Sequence, residues 1–324
     1  MSGAPIAVEI DPSRLDRNIR RFHDRAAGAG VAVRPHVKGH MTVEIARRQM
    51  RYGACGIAVV HVAEARAYLA AGVTDILMAH PWREPWRWRL MAGLAADCRL
   101  SALVDRVGTV RGLARAAAAA GSVIGVRVRL GDDDDVAAVA DDELVALARA
   151  AHAEPSLRLD GVHGYQPLDA AQAVSGRVGA GRAAAAYVTR IAGVLRARGL
   201  PCPVAAVSGT PTAEGAVGVP GVTEVCAGAY ALQDTGMAAI GVCAADDIAV
   251  SVTAADPAAA DPILAAYPYP WQGPAAYARA ASSAPAHAPV HPPHVCALVR
   301  QIDAVTVRGA ATTWPITNRP DRPG

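Results

Sequence analysis

The stretch that decides the fold reads RPHVKGH (34–40) and then VEIARRQMRYGACGIAVVHVAEARAYLAAGVTDILMAH (43–80). Its β-branched runs have the composition of buried strands: VAVRPHVK (31–38), CGIAVV (55–60) and DILMAH (75–80). The two segments between them are helical in pattern and end at glycine, the residue favoured just beyond a helix C-terminus. This alternation of strand and helix predicts parallel strands joined by helical crossovers.

The same pattern continues along the chain for five more strands. They are RLSALVD (99–105), VIGVRVRL (123–130), RLDGVHGY (158–165), VAAVSGT (204–210) and EVCAGAY (224–230). Eight such units in about 200 residues predict an α/β fold, a (β/α)₈ TIM-type barrel. An open doubly wound sheet is the alternative, and it is disfavoured because no G-x-G-x-x-G follows an early strand.

The last third of the chain has a different character. GVCAADDIAVSVTA (241–254) predicts a strand pair, residues 254–293 are rich in Ala and Pro, and residues 294–316 return to strand composition. The N-terminal IAVEID is expected to join these strands. We therefore expect a barrel domain at 11–238 and a smaller C-terminal β domain at 239–324, completed by residues 1–10.

Composition excludes several classes of protein. The 324 residues include 32 basic and 29 acidic side chains, a net charge of +3, which is too small for a nucleic-acid-binding surface. A hydrophobic content of 52% excludes a mainly disordered chain. No run of apolar residues is long enough for a membrane helix, the N-terminus lacks the pattern of a secretory signal, and the six cysteines show no C-x-x-C spacing. We expect a cytoplasmic protein with no nucleic-acid or membrane partner.

Lys38 is the only lysine of the chain, and it lies at the end of the first predicted barrel strand. Active sites of such barrels are built at the C-terminal ends of the strands. A lysine buried there has a lowered pKa, and its neutral amine is a nucleophile that forms a Schiff base. The alternative, an ordinary exposed lysine, is disfavoured because the chain uses arginine everywhere else.

A second candidate feature is SGTPT (208–212), which follows the seventh predicted strand, and Gly228 lies at the end of the eighth. Barrel enzymes often bind phosphate at the loops after these two strands. Taken alone, SGTPT is better explained as an ordinary turn. Together with a lysine on the first strand, it describes a site for pyridoxal phosphate.

Several motifs carry a family resemblance when they are taken in order. Beyond the opening stretch they are DGVHGYQ (160–166), VSGTPT (207–212), GVTEVCAGAYALQD (221–234), GVCAADDIAVSV (241–252) and PPHVC (292–296). The set resembles the fold-type III pyridoxal phosphate enzymes of the D-threonine aldolase and D-serine dehydratase group, which are related to the N-terminal barrel of alanine racemase. The resemblance covers nearly the whole chain.

The resemblance assigns roles to particular residues. Lys38 would bind pyridoxal 5'-phosphate covalently, and His36 and Tyr165 would line the cofactor pocket. The phosphate would be bound by Ser208, Gly209 and Thr210 together with the backbone around Gly228 and Tyr230.

The resemblance also implies a metal site at His294 and Cys296, where a divalent ion would act on the substrate β-hydroxyl. Residues i and i+2 of a strand point to the same face, and an imidazole with a thiolate suits zinc. The alternative is that the two side chains simply pack in the small domain.

The implied function is a lyase for a D-configured β-hydroxy-α-amino acid, working by dehydration or by retro-aldol cleavage. The His-Val-Cys motif favours dehydration, and a homodimer is expected. Two alternatives stay open: an amino-acid racemase, and a non-catalytic cofactor-binding protein whose substrate domain has eroded.

The sequence departs from the family pattern at several places, including Gly39 and Met41 on either side of His40 and ALVR (297–300) after His-Val-Cys. GDDDDVA (131–137) stands where a Gly-x-x-Arg-x-Gly turn is usual, and the Pro/Ala-rich segment replaces an Asp-Ala-Gly-Ser-Lys motif.

Overall fold

The computed structural model describes residues 6–131, 140–165, 168, 175–254, 288–289, 304–307 and 313–315. Within them the strands are β1 (Ile6–Ile10), β2 (Ala32–Pro35), β3 (Ile57–Val59), β4 (Asp75–Met78), β5 (Arg99–Val104), β6 (Ile124–Leu130), β7 (Leu157–Tyr165), β8 (Val204–Ser208), β9 (Glu224–Ala227), β10 (Val250–Ala254), β11 (Ala288–Pro289), β12 (Ala304–Val307) and β13 (Thr313–Pro315). The helices are α1 (Pro12–Gly28), α2 (Val43–Arg51), α3 (Val62–Ala70), α4 (Pro85–Leu94), α5 (Val107–Ala120), α6 (Asp141–His152), α7 (Arg177–Ala197), α8 (Ala213–Ala216) and α9 (Thr235–Ala239).

Strands β2 to β9 form one parallel sheet of eight strands in the order β2-β9-β8-β7-β6-β5-β4-β3. Its two ends meet, because His36 and Ala58 form a parallel bridge and the Cys55 N–H donates to the Val33 carbonyl at 2.9 Å. The sheet is therefore a nearly closed barrel. This confirms the predicted fold class and excludes the open sheet.

The predicted strands agree with the observed ones except at their C-terminal ends. β2 stops at Pro35, and Lys38 lies in a 3₁₀ turn, Val37–Gly39, rather than on the strand. The turn forms because the Lys38 N–H bonds Nδ1 of His36 at 3.5 Å and the His40 N–H bonds the Val37 carbonyl at 3.1 Å. These local bonds take the place of the strand pairing that the composition predicts.

A second sheet of five strands has the order β11-β10-β1-β12-β13, with β1 antiparallel to β10 and parallel to β12. The N-terminal strand thus lies beside strands from the other end of the chain, as its composition predicts. The strand pair predicted at 241–254 is wrong. A 3₁₀ turn at Ala245–Asp247 precedes a single strand, β10, because the Asp247 carboxylate accepts the Ala244 N–H at 3.1 Å and caps the turn.

The barrel interior is organised in layers, since alternate residues of each strand point inward. The lower layer is charged: the Glu224 carboxylate bonds the guanidinium groups of Arg34 and Arg127. The layer above it is largely apolar and contains a cluster of Ala58, Leu77, Leu103 and Cys226. The ends of the strands form the mouth above this second layer.

Candidate functional site

Lys38 lies at the mouth of the barrel, where the chain leaves β2. Its side chain is exposed, so the burial that the sequence reasoning assumed is wrong for this structure. The 3₁₀ turn lifts it above the inward-facing positions of β2. The partly buried His36 lies near Lys38. The pKa of its imidazole is well below the usual value, because burial, Lys38, His163 and His40 all lower it. The primary amine and three histidines therefore lie close together.

The SGTPT loop after β8 is tied to the neighbouring loop after β9. The Gly209 N–H donates to the Cys226 carbonyl at 2.9 Å, and the Ala229 N–H donates to Thr210 Oγ1 at 3.0 Å. Gly209 has a φ of +116°, and a Cβ at this position would lie 2.8 Å from the Thr212 hydroxyl oxygen. This loop is not an independent turn, because its shape depends on its bonds to the adjacent strand end.

Gly228 brings the end of β9 against the end of β2. A Cβ built on Gly228 would lie 2.9 Å from the His36 carbonyl oxygen, closer than side-chain carbons normally approach. The small residue therefore places the predicted phosphate loops directly beside the turn that carries Lys38. The predicted cofactor site requires the Lys38 turn and the phosphate loops to lie side by side in this way.

The two predicted tyrosines occupy different environments. Tyr165 ends β7 at the mouth, is 50% exposed, and has its Cε2 4.0 Å from the Cβ position of Gly209; partial burial raises its pKa. The Tyr230 side chain is buried and turns towards α1, where its hydroxyl bonds His23 Nε2 at 2.9 Å and its ring stacks on Phe22. The Tyr230 side chain is therefore directed away from the mouth, and only its backbone could contribute to phosphate binding.

Below the mouth, the otherwise largely apolar second layer contains a hydrogen-bonded pair of polar side chains. His163, 3% exposed, bonds the Ser208 hydroxyl through Nε2 at 2.6 Å. Burial, together with the Arg127 guanidinium, lowers the pKa of His163 to about 3. The imidazole is therefore neutral at physiological pH.

The charged lower layer was missed by the sequence reasoning. Burial opposes the charge of Glu224, yet Arg34 and Arg127 hold the pKa of this carboxyl at about 2. Arg34 also pairs with Asp75 at 2.7 Å. The available signal was the presence of charges inside apolar strands, in GVRVRL (125–130) and at Glu224, because buried charges require partners.

The predicted metal ligands, His294 and Cys296, lie outside the described residues, as do Gln166 and the acidic run at 132–135. Among the residues that the structure describes, no three His, Cys, Asp or Glu side chains cluster in a way that could hold a metal ion. In the same part of the chain, no helix is long and apolar enough to span a membrane.

The fold and the mouth together define a class: a parallel β/α barrel with a single lysine beside two glycine- and hydroxyl-rich loops. The alanine racemase N-terminal domain model matches residues 10–250, and the chain belongs to that family.

Two curated relatives are similar to much of the barrel. D-threo-3-hydroxyaspartate dehydratase of Delftia sp. (strain HT23) is 39% identical over 263 residues, 77% of this chain and 66% of the relative. D-threonine aldolase of Arthrobacter sp. is 33% identical over 232 residues, 70% of this chain and 61% of the relative. The matched segment thus spans less than two thirds of each relative.

The solved structure of the Delftia sp. HT23 dehydratase superposes with a TM-score of 0.79 at 28% identity, covering 98% of this chain and 97% of that one. Two further structures of a D-threo-3-hydroxyaspartate dehydratase, at 28% and 27% identity and a TM-score of 0.78 each, cover 98% of this chain and 97% and 95% of theirs. One carries a cysteine-to-alanine change and is metal-free. The other carries a histidine-to-alanine change two positions earlier in that chain.

Proposed function

We propose that this chain is a pyridoxal phosphate-dependent lyase for D-configured β-hydroxy-α-amino acids. The observation that carries the proposal is the position of Lys38, the only primary side-chain amine, in a turn that Gly228 holds against the loops after β8 and β9. The relatives' activities support the substrate class, because both named relatives act on D-β-hydroxy amino acids.

The residues at the mouth suit the cofactor. A primary amine is available for its aldehyde. Ser208 and Thr210 offer hydroxyls, and Gly228 lets the loop after β9 approach the turn that carries Lys38 closely. When bound, the cofactor accepts electrons from the substrate Cα and so weakens the bonds there.

The protein's own part in the reaction follows from this arrangement. Lys38 binds the cofactor, and its Nζ holds the proton that leaves Cα. The ring of Tyr165 lies at the mouth beside Gly209. His36 is neutral, since burial lowers its pKa, so it contributes no positive charge that would compete for the phosphate.

Dehydration is the favoured branch of the chemistry. The Delftia dehydratase is the more similar of the two relatives, at 39% against 33% identity for the aldolase. The His-Val-Cys motif at 294–296 points in the same direction. Loss of the Cα proton and of the β-hydroxyl as water would release an enamine, whose imine form is hydrolysed by water to a keto acid and ammonia.

The spectrum of the holoenzyme tests the cofactor assignment. The purified protein is expected to absorb visible light as a lysine-bound pyridoxal, and Lys38→Ala is expected to lose that band, because no other lysine exists to replace it. Lys38→Arg is the matched control for charge and should lose the band as well. A band that persists in Lys38→Ala would refute the assignment.

The metal assignment rests on His294 and Cys296. Removal of a cysteine from a similar dehydratase accompanies a metal-free form, which supports a thiolate ligand here. We propose zinc, which an imidazole and a thiolate bind with positions left open for water and substrate.

Chelation tests the metal. A chelator is expected to stop turnover and leave the visible band intact, because Lys38 and the metal act at separate points of the substrate. Cys296→Ala should lose stoichiometric zinc, and Cys296→Asp should shift the metal preference towards manganese or magnesium. Full turnover by the metal-free protein would refute the metal role.

The remaining assignments complete the proposal. The phosphate would be bound by Ser208, Gly209 and Thr210 with the backbone at Gly228 and Tyr230. The barrel domain would span 11–238 and the smaller domain 239–324 with 1–10. We further propose a homodimer in the cytoplasm with an amino acid as its partner molecule.

A further inference from the structure

The buried imidazole of His163 has a hydrogen-bond partner at only one of its two ring nitrogens, among the residues that the structure describes. It lies on β7 in the second layer of the barrel, directly below the mouth, and is 3% exposed. Its Nε2 bonds Ser208 Oγ, but its Nδ1 is buried and has no hydrogen-bond partner among the residues that the structure describes. A buried, unpartnered ring nitrogen costs free energy, so its presence indicates a ligand.

The bond to Ser208 belongs to a short relay. Burial raises the pKa of the Cys226 thiol on β9 to about 11, and a hydrogen bond from Ser208 opposes this rise. When the Ser208 hydroxyl donates its one proton to the Cys226 sulfur or to a bound phosphate, its oxygen accepts from Nε2–H of His163. Nδ1 then carries a lone pair and acts as an acceptor.

The groups around His163 keep its imidazole neutral. Burial and the guanidinium groups of Arg127, Arg34 and Arg129 lower its pKa, while Glu224 raises it less than Arg127 lowers it. Glu224 is already engaged by two guanidinium groups. A neutral imidazole has one N–H and one lone pair, so Nδ1 is the acceptor whenever Nε2–H donates to Ser208.

The groups that would bind the cofactor at the mouth determine which cofactor atom could lie near Nδ1 of His163. Lys38 would hold the aldehyde of the cofactor and the loops after β8 and β9 its phosphate, and these two groups stand on adjacent carbons of the pyridine ring. The ring nitrogen stands opposite the aldehyde-bearing carbon, so it is the ring atom farthest from the aldehyde. A cofactor bound at the mouth through both substituents would have its ring nitrogen on the side away from them, where His163 could reach it.

We propose that His163 Nδ1 is the hydrogen-bond acceptor for the ring nitrogen of the bound pyridine cofactor. This inference rests on the proposed function. It assigns a cofactor-binding role to the Cys226–Ser208–His163 relay, which would set the depth of the ring and favour the protonated ring nitrogen.

The test compares pyridoxal 5'-phosphate with its 1-deaza analogue, which has C–H in place of the ring nitrogen. Wild type, His163→Gln and His163→Asn are titrated with both compounds. Glutamine keeps a polar atom at the Nε2 position and removes the one at Nδ1; asparagine does the reverse. Wild type is expected to prefer the natural cofactor by about tenfold, the worth of one hydrogen bond.

His163→Gln is expected to lose this preference, and His163→Asn to retain most of it. His152→Gln, at an exposed position of α6, is the matched control and should behave like wild type. A second measurement needs no variant: the ¹⁵N resonance of His163 Nδ1 should shift when wild type binds pyridoxal phosphate and shift much less with the analogue.

Equal preference in wild type and His163→Gln, or an unshifted Nδ1 resonance, would overturn the assignment while cofactor binding and lyase activity persist. If wild type binds neither compound, the proposed function fails and this assignment fails with it.

Discussion

Glu224 shows how one residue can organise the base of the site. Its carboxylate is shared by Arg34 on β2 and Arg127 on β6, so three strands meet at a single buried side chain. Two and four residues further along β9 and its loop come Cys226 and Gly228. The charged layer thus fixes the strands whose ends carry the candidate site, although replacing such a cluster by apolar residues is often tolerated in proteins.

The buried carboxyl of Asp234 makes the stability of the fold depend on pH. It begins α9, where its carboxylate accepts the Met237 N–H at 2.7 Å, and burial raises its pKa to about 7. Because the folded pKa lies above the unfolded value, the folded state binds more protons between about pH 4 and pH 7. Its contribution to stability is complete below about pH 4 and is lost as the pH rises through 7.

Asp234→Asn should remove this dependence. The free energy of unfolding of wild type is expected to contain a component that falls by about 4 kcal/mol from pH 4 to pH 8, and the variant should lack it. Urea unfolding at several pH values measures both proteins. Asp142→Asn, at the exposed first turn of α6, is the control; matching profiles for wild type and Asp234→Asn would contradict the prediction.

Helix α7 is positioned by its glycines. A Cβ on Gly181 would lie 2.1 Å from the Thr212 carbonyl oxygen, and one on Gly215 of α8 would lie 1.9 Å from the Val178 carbonyl oxygen. The backbones of α7, α8 and the SGTPT loop are therefore in direct contact. The loop shape depends on this close approach as well as on its bonds to the β9 loop.

Two glycines of α7 allow a matched comparison. Gly181→Ala should push α7 away from the loop, lower the free energy of unfolding by about 2 kcal/mol or more, and weaken cofactor retention. Gly179→Ala has open space around its Cβ and should be neutral or stabilising by up to about 1 kcal/mol. Chemical denaturation and cofactor titration distinguish the two; equal effects would contradict the packing argument.

Strand and helix positions follow from composition, and so does the barrel, because eight short β-branched runs alternate with glycine-terminated helices. The 3₁₀ turn at Lys38 could not be predicted in this way, since it depends on a local bond from His36. The contacts of Gly181 and Gly228 were equally hidden, because they join residues distant in the chain. Seven of the eight proposed cofactor residues lie at the mouth, whereas the Tyr230 side chain turns to α1, a direction that strand alternation does not reveal.

The five-stranded sheet joins the two ends of the chain. β1 precedes the barrel in the chain and pairs with β10 and β12, which both follow it. Lys38 and the phosphate loops belong to the barrel, and the proposed metal ligands belong to the region after it. With these assignments, lyase chemistry would need both parts of the chain, while cofactor binding would need the barrel alone.

One measurement tests the central claim most directly: the products formed from a panel of amino acids by the purified protein. The panel contains D- and L-forms of threo- and erythro-3-hydroxyaspartate, serine, threonine and alanine, each assayed for keto acid with ammonia, for aldehyde and for the opposite enantiomer. The account predicts keto acid and ammonia from a D-β-hydroxy amino acid, no product from the L-forms, and no activity in Lys38→Ala. Racemised alanine without any β-elimination or cleavage product, or no reaction with any member of the panel, would contradict it.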